Sequence, residues 1–191
     1  EVFAGLQAYM KEKGMENTAP FVMEMVRMAG LYSDVGILSI LYTARMENRP
    51  YTEEENEIFE VHPYAGYITL CLHPDTEIYA LTALGHSRWY NGEGGFPSYY
   101  DRKKNPTAIA TDIVYTAAYL ESSTNTLRMR FDEQIDSELA LTIVKENART
   151  QFHPLMKEAV EDPSLRERLI QILEKGRKAA YIRIYRRVET A

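Results

Sequence analysis

Cysteine is nearly absent from this chain: Cys71 is the only one in 191 residues. One thiol excludes an internal disulfide and any multi-cysteine metal site, and it suits a reducing, cytoplasmic compartment. Tryptophan occurs once, and histidine only at His62, His73, His86 and His153. No apolar run approaches the roughly 20 residues of a transmembrane helix. Cationic charge is in deficit, with 22 Lys+Arg against 28 Asp+Glu and a net charge of −6, which argues against bulk nucleic-acid binding. The opening Glu1-Val2-Phe3-Ala4-Gly5 has no basic stretch and no signal-like core, so a mature protein or an excised piece is expected. What is present is ordinary globular material, 45% hydrophobic and 26% charged, and the length predicts a single domain over 1–191.

Punctuation divides the chain into about nine segments, mostly of helical period. Residues 2–13 put Val2, Leu6, Tyr9 and Met10 on one face and stop at Gly14. Residues 19–30 carry Phe21, Val22, Met25, Val26 and Met28, with Pro20 suited to a first turn. Residues 31–46 are apolar nearly all round, which predicts a buried central helix. Thr52 with Glu55 forms a capping box before a helix to about Leu72, and Pro63 should kink or restart it. A helix from Asp75 to about Trp89 follows, then an irregular stretch over 91–106 containing Asn91-Gly92-Glu93-Gly94-Gly95-Phe96-Pro97. Long loops in compact domains are often functional. Helices are expected over 107–122, 132–147, 154–161 and 164–189, the last capped by Ser164. Its end crowds Lys175, Arg177, Lys178, Arg183, Arg186 and Arg187 around Tyr181, Ile182, Ile184 and Tyr185. That end could suit an anionic surface, but packing on its own bundle is the expectation. No run alternates like an exposed strand, so the fold class is all-α.

Four segments carry a resemblance. Leu31-Tyr32-Ser33-Asp34-Val35-Gly36-Ile37 resembles the "HD-I-G-K" segment of HD-superfamily phosphohydrolases. Thr52-Glu53-Glu54-Glu55 followed by His62-Pro63-Tyr64-Ala65-Gly66 resembles the "T-E-E…H-P-x-x-G" segment of HD-GYP proteins. Gly85-His86-Ser87-Arg88-Trp89-Tyr90 with the loop to Pro97 resembles the "G-H-H-K-W-Y-D-G-x-G-G-Y-P" variant of HD-GYP-like proteins of Firmicutes, and Thr150-Gln151-Phe152-His153-Pro154 resembles a "G-T-Q-F-D-P" turn. The resemblance implies an HD-type bundle of about eight or nine helices with one long glycine-rich loop. It also implies a dinuclear or trinuclear iron or manganese centre that hydrolyses cyclic-di-GMP through metal-activated water.

The departures fall on the ligands that the resemblance implies. Ser33 and Ser87 stand where histidines belong, Ile37 replaces a lysine, Phe96 replaces a tyrosine, and the distal aspartate falls at Ala118. A serine hydroxyl is a poor transition-metal ligand. Asp112 or Glu121 could replace the distal ligand only with a helix shift. The first-helix Glu and His would lie at or before residue 1, so upstream residues of that helix are expected to be missing. The residual set is Asp34, His62 and His86. Arg88, Trp89, Asn91, Gly95, Phe96 and Glu121 are candidates for the cleft and its loop. Each has a plainer reading: Asp34 as a helix-end acceptor, His62 and His86 as satisfied interhelical polar groups, Trp89 as packing, and the loop as turns needing positive φ. His73 and His153 read as turn residues, and Arg102, Lys103 and Lys104 as a solvated loop.

The leading expectation is a catalytically degenerate HD-GYP-like domain. It would serve as a regulatory, nucleotide-binding or interaction module in bacterial signalling, with no cofactor. Its partners would be a cyclic dinucleotide or another phosphate-bearing small molecule, or a protein, including a second copy. The alternative is a live phosphohydrolase or phosphodiesterase with a reduced site, its iron or manganese held by Asp34, His62 and His86. A third reading is a structural dimerisation domain.

Overall fold

Local sequence signals set the helix boundaries of the computed structural model, which describes residues 2–40, 51–125 and 134–189. Helix α1 (Ala4–Glu12) stops just before Gly14, whose φ of +71° a side chain would resist. Helix α2 (Ala19–Tyr32) has Pro20 in its first turn and runs through Gly30. Thr52 accepts from the Glu55 amide while Glu55 reaches back to the Thr52 amide, so the expected capping box starts α3 (Glu53–Phe59). Pro63 lies in the first turn of α4 (His62–Cys71), so the chain restarts there as predicted. Helix α5 (Pro74–Gly85) ends four residues short of Trp89. The irregular stretch after it contains only a short 3-10 turn at Arg102–Lys104.

The expected buried helix over 31–46 does not run through 33–40. Asp34 breaks the chain into a 3-10 turn at Val35–Ser39, and Leu31 and Leu38 are 65% and 72% exposed. Residues 41–46 of that expectation lie outside the described residues, as do 132 and 133 of a later one. The central helix is instead α6 (Ala108–Thr124). Its Ile109, Ala110 and Val114 join one core with Leu6 and Met10 of α1, Val22, Met25 and Ala29 of α2, and Ile78 of α5. Its Leu120 joins a second core with Ala140, Leu141 and Val144 of α7 (Ser137–Glu146), Phe152, and Met156 and Val160 of α8 (Pro154–Glu161). A third, smaller core joins Leu70 of α4 to Ala80 and Ala83 of α5.

Asp162, rather than Ser164, caps α9 (Pro163–Gln171), accepting from the Leu165 amide at 2.8 Å. A π-turn at Ile172–Gly176 separates α9 from α10 (Arg177–Glu189). This end packs on its own bundle at its start. Arg177 donates to the carbonyls of Glu121 and Thr124, and Asn125 donates to Tyr181. Tyr185 and Val188, nearer the end, are 69% and 71% exposed. Among the described residues there is no strand, only isolated bridges at Arg88–Gly95 and Ala148–Phe152. The fold is all-helical, and none of the described helices is long and apolar enough to cross a membrane.

Candidate metal centre and its cleft

Asp34, His62 and His86 come from three separate elements: the turn after α2, the start of α4 and the end of α5. A close backbone contact brings the first two together. A Cβ on Gly36 would lie 2.0 Å from the His62 carbonyl oxygen and 2.4 Å from the Gly66 nitrogen. Only glycine at 36 lets the turn lie against α4, which sets Asp34 beside His62. His86 follows α5 directly and approaches the same point.

Both imidazoles are oriented through the backbone. His62 Nδ1 lies 2.7 Å from the Phe59 carbonyl, and His86 Nδ1 lies 2.7 Å from the Ala83 carbonyl. A carbonyl only accepts, so each Nδ1 carries the hydrogen, and each neutral ring presents an Nε2 lone pair. The two Nε2 atoms are 3.1 Å apart, and Asp34 Oδ1 lies 3.1 Å from that of His86 and 3.5 Å from that of His62. Three acceptor atoms this close need a positive charge among them, either a proton on one ring or a cation. A point about 2.1 Å from all three, the usual zinc–nitrogen and zinc–oxygen length, fits above their triangle. Backbone carbonyls behind ligating histidines are also what metal sites use to fix ring orientation.

The electrostatics agree with this arrangement. Burial pulls the Asp34 carboxyl upward, but the hydrogen bond it accepts when His62 or His86 takes a proton at Nε2 outweighs burial and holds the group well below the usual carboxylate range. Burial also pushes the His62 imidazolium down, so this ring favours its neutral, ligating form. The rings of Phe59 and Phe96 flank His62, with centroids 4.5 Å and 5.7 Å away.

The three residues form one wall of a cleft of about 260 Å3. Tyr115, Ala118, Tyr119 and Ser122 of α6 form a second wall, and Gln151 lines the cleft beside Tyr115. Tyr115 accepts from Gln151 Nε2 at 2.7 Å, and burial pushes its phenol up to about 12, so it stays a neutral hydroxyl. Among the described lining residues none is Lys or Arg. The glycine-rich loop forms the rim. Gly95 has φ +70°, and a Cβ there would lie 2.1 Å from the Ser87 carbonyl oxygen. That turn lets Phe96 donate its amide to Ser87 at 3.1 Å and face the cleft.

The remaining candidates divide. Trp89, Gly95 and Phe96 line the cleft, and so do Ser87 and Ala118. Arg88 does not reach it, because its guanidinium donates to the carbonyls of Gly95 and Gly92 and holds the loop closed. Asn91 is likewise a loop residue, donating to Glu93 at 2.8 Å. Glu121 faces Asn125 and Arg177, and Asp112 is paired with Arg102 at 3.0 and 3.1 Å, so neither replaces the distal ligand. The buried Ser33 turns back to donate to the Gly30 carbonyl. His73 is the exposed N-cap residue of α5, and His153 caps α8 by accepting from the Leu155 amide. Sequence reasoning gave no role to Phe59, Tyr115, Tyr119 and Ser122. Gln151 sat inside a quoted motif and could have been singled out there.

Compared with protein-family models and with curated proteins, the chain matches none.

Proposed function

We propose that the protein is a degenerate HD-GYP-like domain that holds one divalent cation at Asp34, His62 and His86 and uses it to bind a phosphate-bearing small molecule as a regulatory module. The observation that carries this reading is the convergence of the two Nε2 lone pairs and the Asp34 carboxylate, with both Nδ1–H groups committed to backbone carbonyls. Two histidines and one carboxylate suit iron, manganese or a similar ion and leave coordination positions open. With no cationic side chain among the described lining residues, the ion would be the positive charge that draws a phosphate. Trp89 and Tyr119 offer flat surfaces for a base, and neutral Tyr115 offers a hydroxyl.

Two-metal hydrolysis is not supported by this donor set. Ala118 presents a methyl group where the resemblance implies a carboxylate, and the Ser33 hydroxyl is engaged with its own helix. The open positions of a three-ligand site favour one second reading, a hydrolase working with a single ion. Calorimetry with cyclic-di-GMP, with and without manganese, and a turnover assay on the same samples test the proposal. Manganese-dependent binding without cleavage is the expected result. Cleavage that His86→Ala abolishes would establish the second reading, and binding indifferent to manganese would overturn both.

A further inference from the structure

The basic turn at Arg102–Lys104 is not uniformly solvated. Lys103 and Lys104 are exposed, but Arg102 turns inward. Its guanidinium donates to both carboxylate oxygens of Asp112, at 3.0 and 3.1 Å. Asp112 is 7% exposed within the central helix α6. The same guanidinium lies over the Tyr90 ring, 4.6 Å from its centroid. The Tyr90 and His153 rings meet at 78°, with centroids 5.0 Å apart. One cluster thus joins the glycine-rich loop, the basic turn, α6 and the turn before α8.

Three members of the cluster sit beside residues that line the cleft. Tyr90 follows Trp89. Asp112 precedes Tyr115 by three residues, which places the two on one face of α6. His153 lies two residues after Gln151, whose carbonyl accepts from the Tyr90 amide at 3.1 Å. Next to that bond, the Thr150 carbonyl accepts from the Asn91 amide at 2.9 Å. Arg102 itself does not line the cleft, whereas Trp89, Tyr115 and Gln151 do. Apolar side chains of similar volume often stabilise a core as well as a buried ion pair does. What the pair adds is direction, because a guanidinium fork fits a carboxylate in one plane.

We propose that the Arg102–Asp112 pair is a clamp behind the cleft. It fixes the loop that carries Trp89 against α6 and against the turn that carries Gln151, and so sets the spacing of the groups that touch a ligand. Arg102 is therefore a positioning residue. The consequence for binding rests on the cleft being the ligand site proposed above, but the effect on Trp89 does not. Trp89 is the only tryptophan in the sequence, so its fluorescence reports on this loop alone. Its indole lies against Gly94, where a Cβ would be 2.4 Å from the ring, so it moves with the loop.

Acrylamide quenching of this fluorescence, on the full chain, tests the proposal. The indole is 37% exposed in the clamped loop, and the quenching constant is expected to rise about twofold in Arg102→Met. Asp112, buried and without its partner, takes a proton rather than stay charged, so helical circular dichroism should be unchanged. Arg102→Met combined with Asp112→Asn removes both charges and should raise quenching equally, which covers a single variant that fails to fold. Arg102→Lys keeps the charge, loses the fork and should fall between. Arg166→Met is the control. Arg166 is as buried as Arg102 but pairs α9 to α7 through Glu138, so Trp89 should not respond. Manganese affinity should stay the same throughout, while affinity for cyclic-di-GMP with manganese should fall about tenfold in Arg102→Met. Unchanged quenching in the folded Arg102→Met variants, or an equal rise in Arg166→Met, would overturn the clamp. Cyclic-di-GMP bound equally tightly by wild type and Arg102→Met would overturn its positioning role. A rise in quenching in a protein that binds neither manganese nor cyclic-di-GMP would overturn the cation reading and leave the clamp standing.

Discussion

The two walls of the cleft differ in what they can hold. On one, Asp34, His62 and His86 bring three ligand atoms within 4.8 Å of one another. On the other, α6 presents the rings of Tyr115 and Tyr119, the Ser122 side chain and the methyl group of Ala118. The first wall is built to a metal-site standard: its rings are fixed by carbonyls, and a glycine contact sets its carboxylate in place. The second offers rings, a hydroxyl and a methyl group, and none of its side chains belongs to the ligand cluster. On the proposed reading, ligands were lost from one wall and kept on the other.

The strongest way to break the comparison is to disarm the first wall. His86→Ala should abolish retention of any divalent ion, because two ligands do not hold a borderline metal in competition with water. Elemental analysis after gel filtration checks this. Gly36→Ala should act through position alone. The added methyl group collides with the backbone of α4, so stability is expected to fall by about 1–3 kcal/mol, and metal affinity should fall with it as Asp34 moves. Urea unfolding and metal titration would separate the two effects. Ala118→Asp should sharpen the comparison from the other side, by adding a carboxylate to the bare wall. Divalent affinity is expected to rise about tenfold, read by titration with manganese.

The smallest effect belongs to a histidine outside both walls. Burial lowers the His153 pKa below its usual value of about 6.5. A base whose folded pKa is depressed favours folding above its unfolded pKa, and that contribution is lost as pH falls below about 6.5. His153→Asn should keep the cap on α8 and flatten the stability profile between pH 5 and pH 7 by less than about 1 kcal/mol. Thermal melts across that range would show it.

Much of the fold was legible where the chemistry is local. The capping box at Thr52 and Glu55, the restart at Pro63, the stop at Gly14 and the helix over 154–161 all depend on residues a few positions apart. The segment from 31 to 46 failed because apolarity alone does not say which face is covered. Leu31 and Leu38 are exposed, and Gly36 is there for a backbone contact that no periodicity reveals. The true central helix, α6, was harder to recognise because Thr111, Asp112, Thr116 and Ser123 are buried in it. For the site, the resemblance supplied Asp34, His62 and His86, but their meeting joins positions up to 52 apart. Each histidine sits three residues after the carbonyl that orients it, at Phe59 and Ala83. That spacing was visible in the sequence, but its meaning was not visible without the helix ends. Arg88 and Asn91 were drawn to the cleft by their place in the motif, yet they serve the loop.

Metal stoichiometry tests the central claim most directly. Protein purified without chelator and loaded with manganese, then analysed for iron, manganese and zinc, should carry one ion per chain, and none in Asp34→Ala. Two ions per chain would contradict the half-site account, and so would a wild type that retains no ion at all.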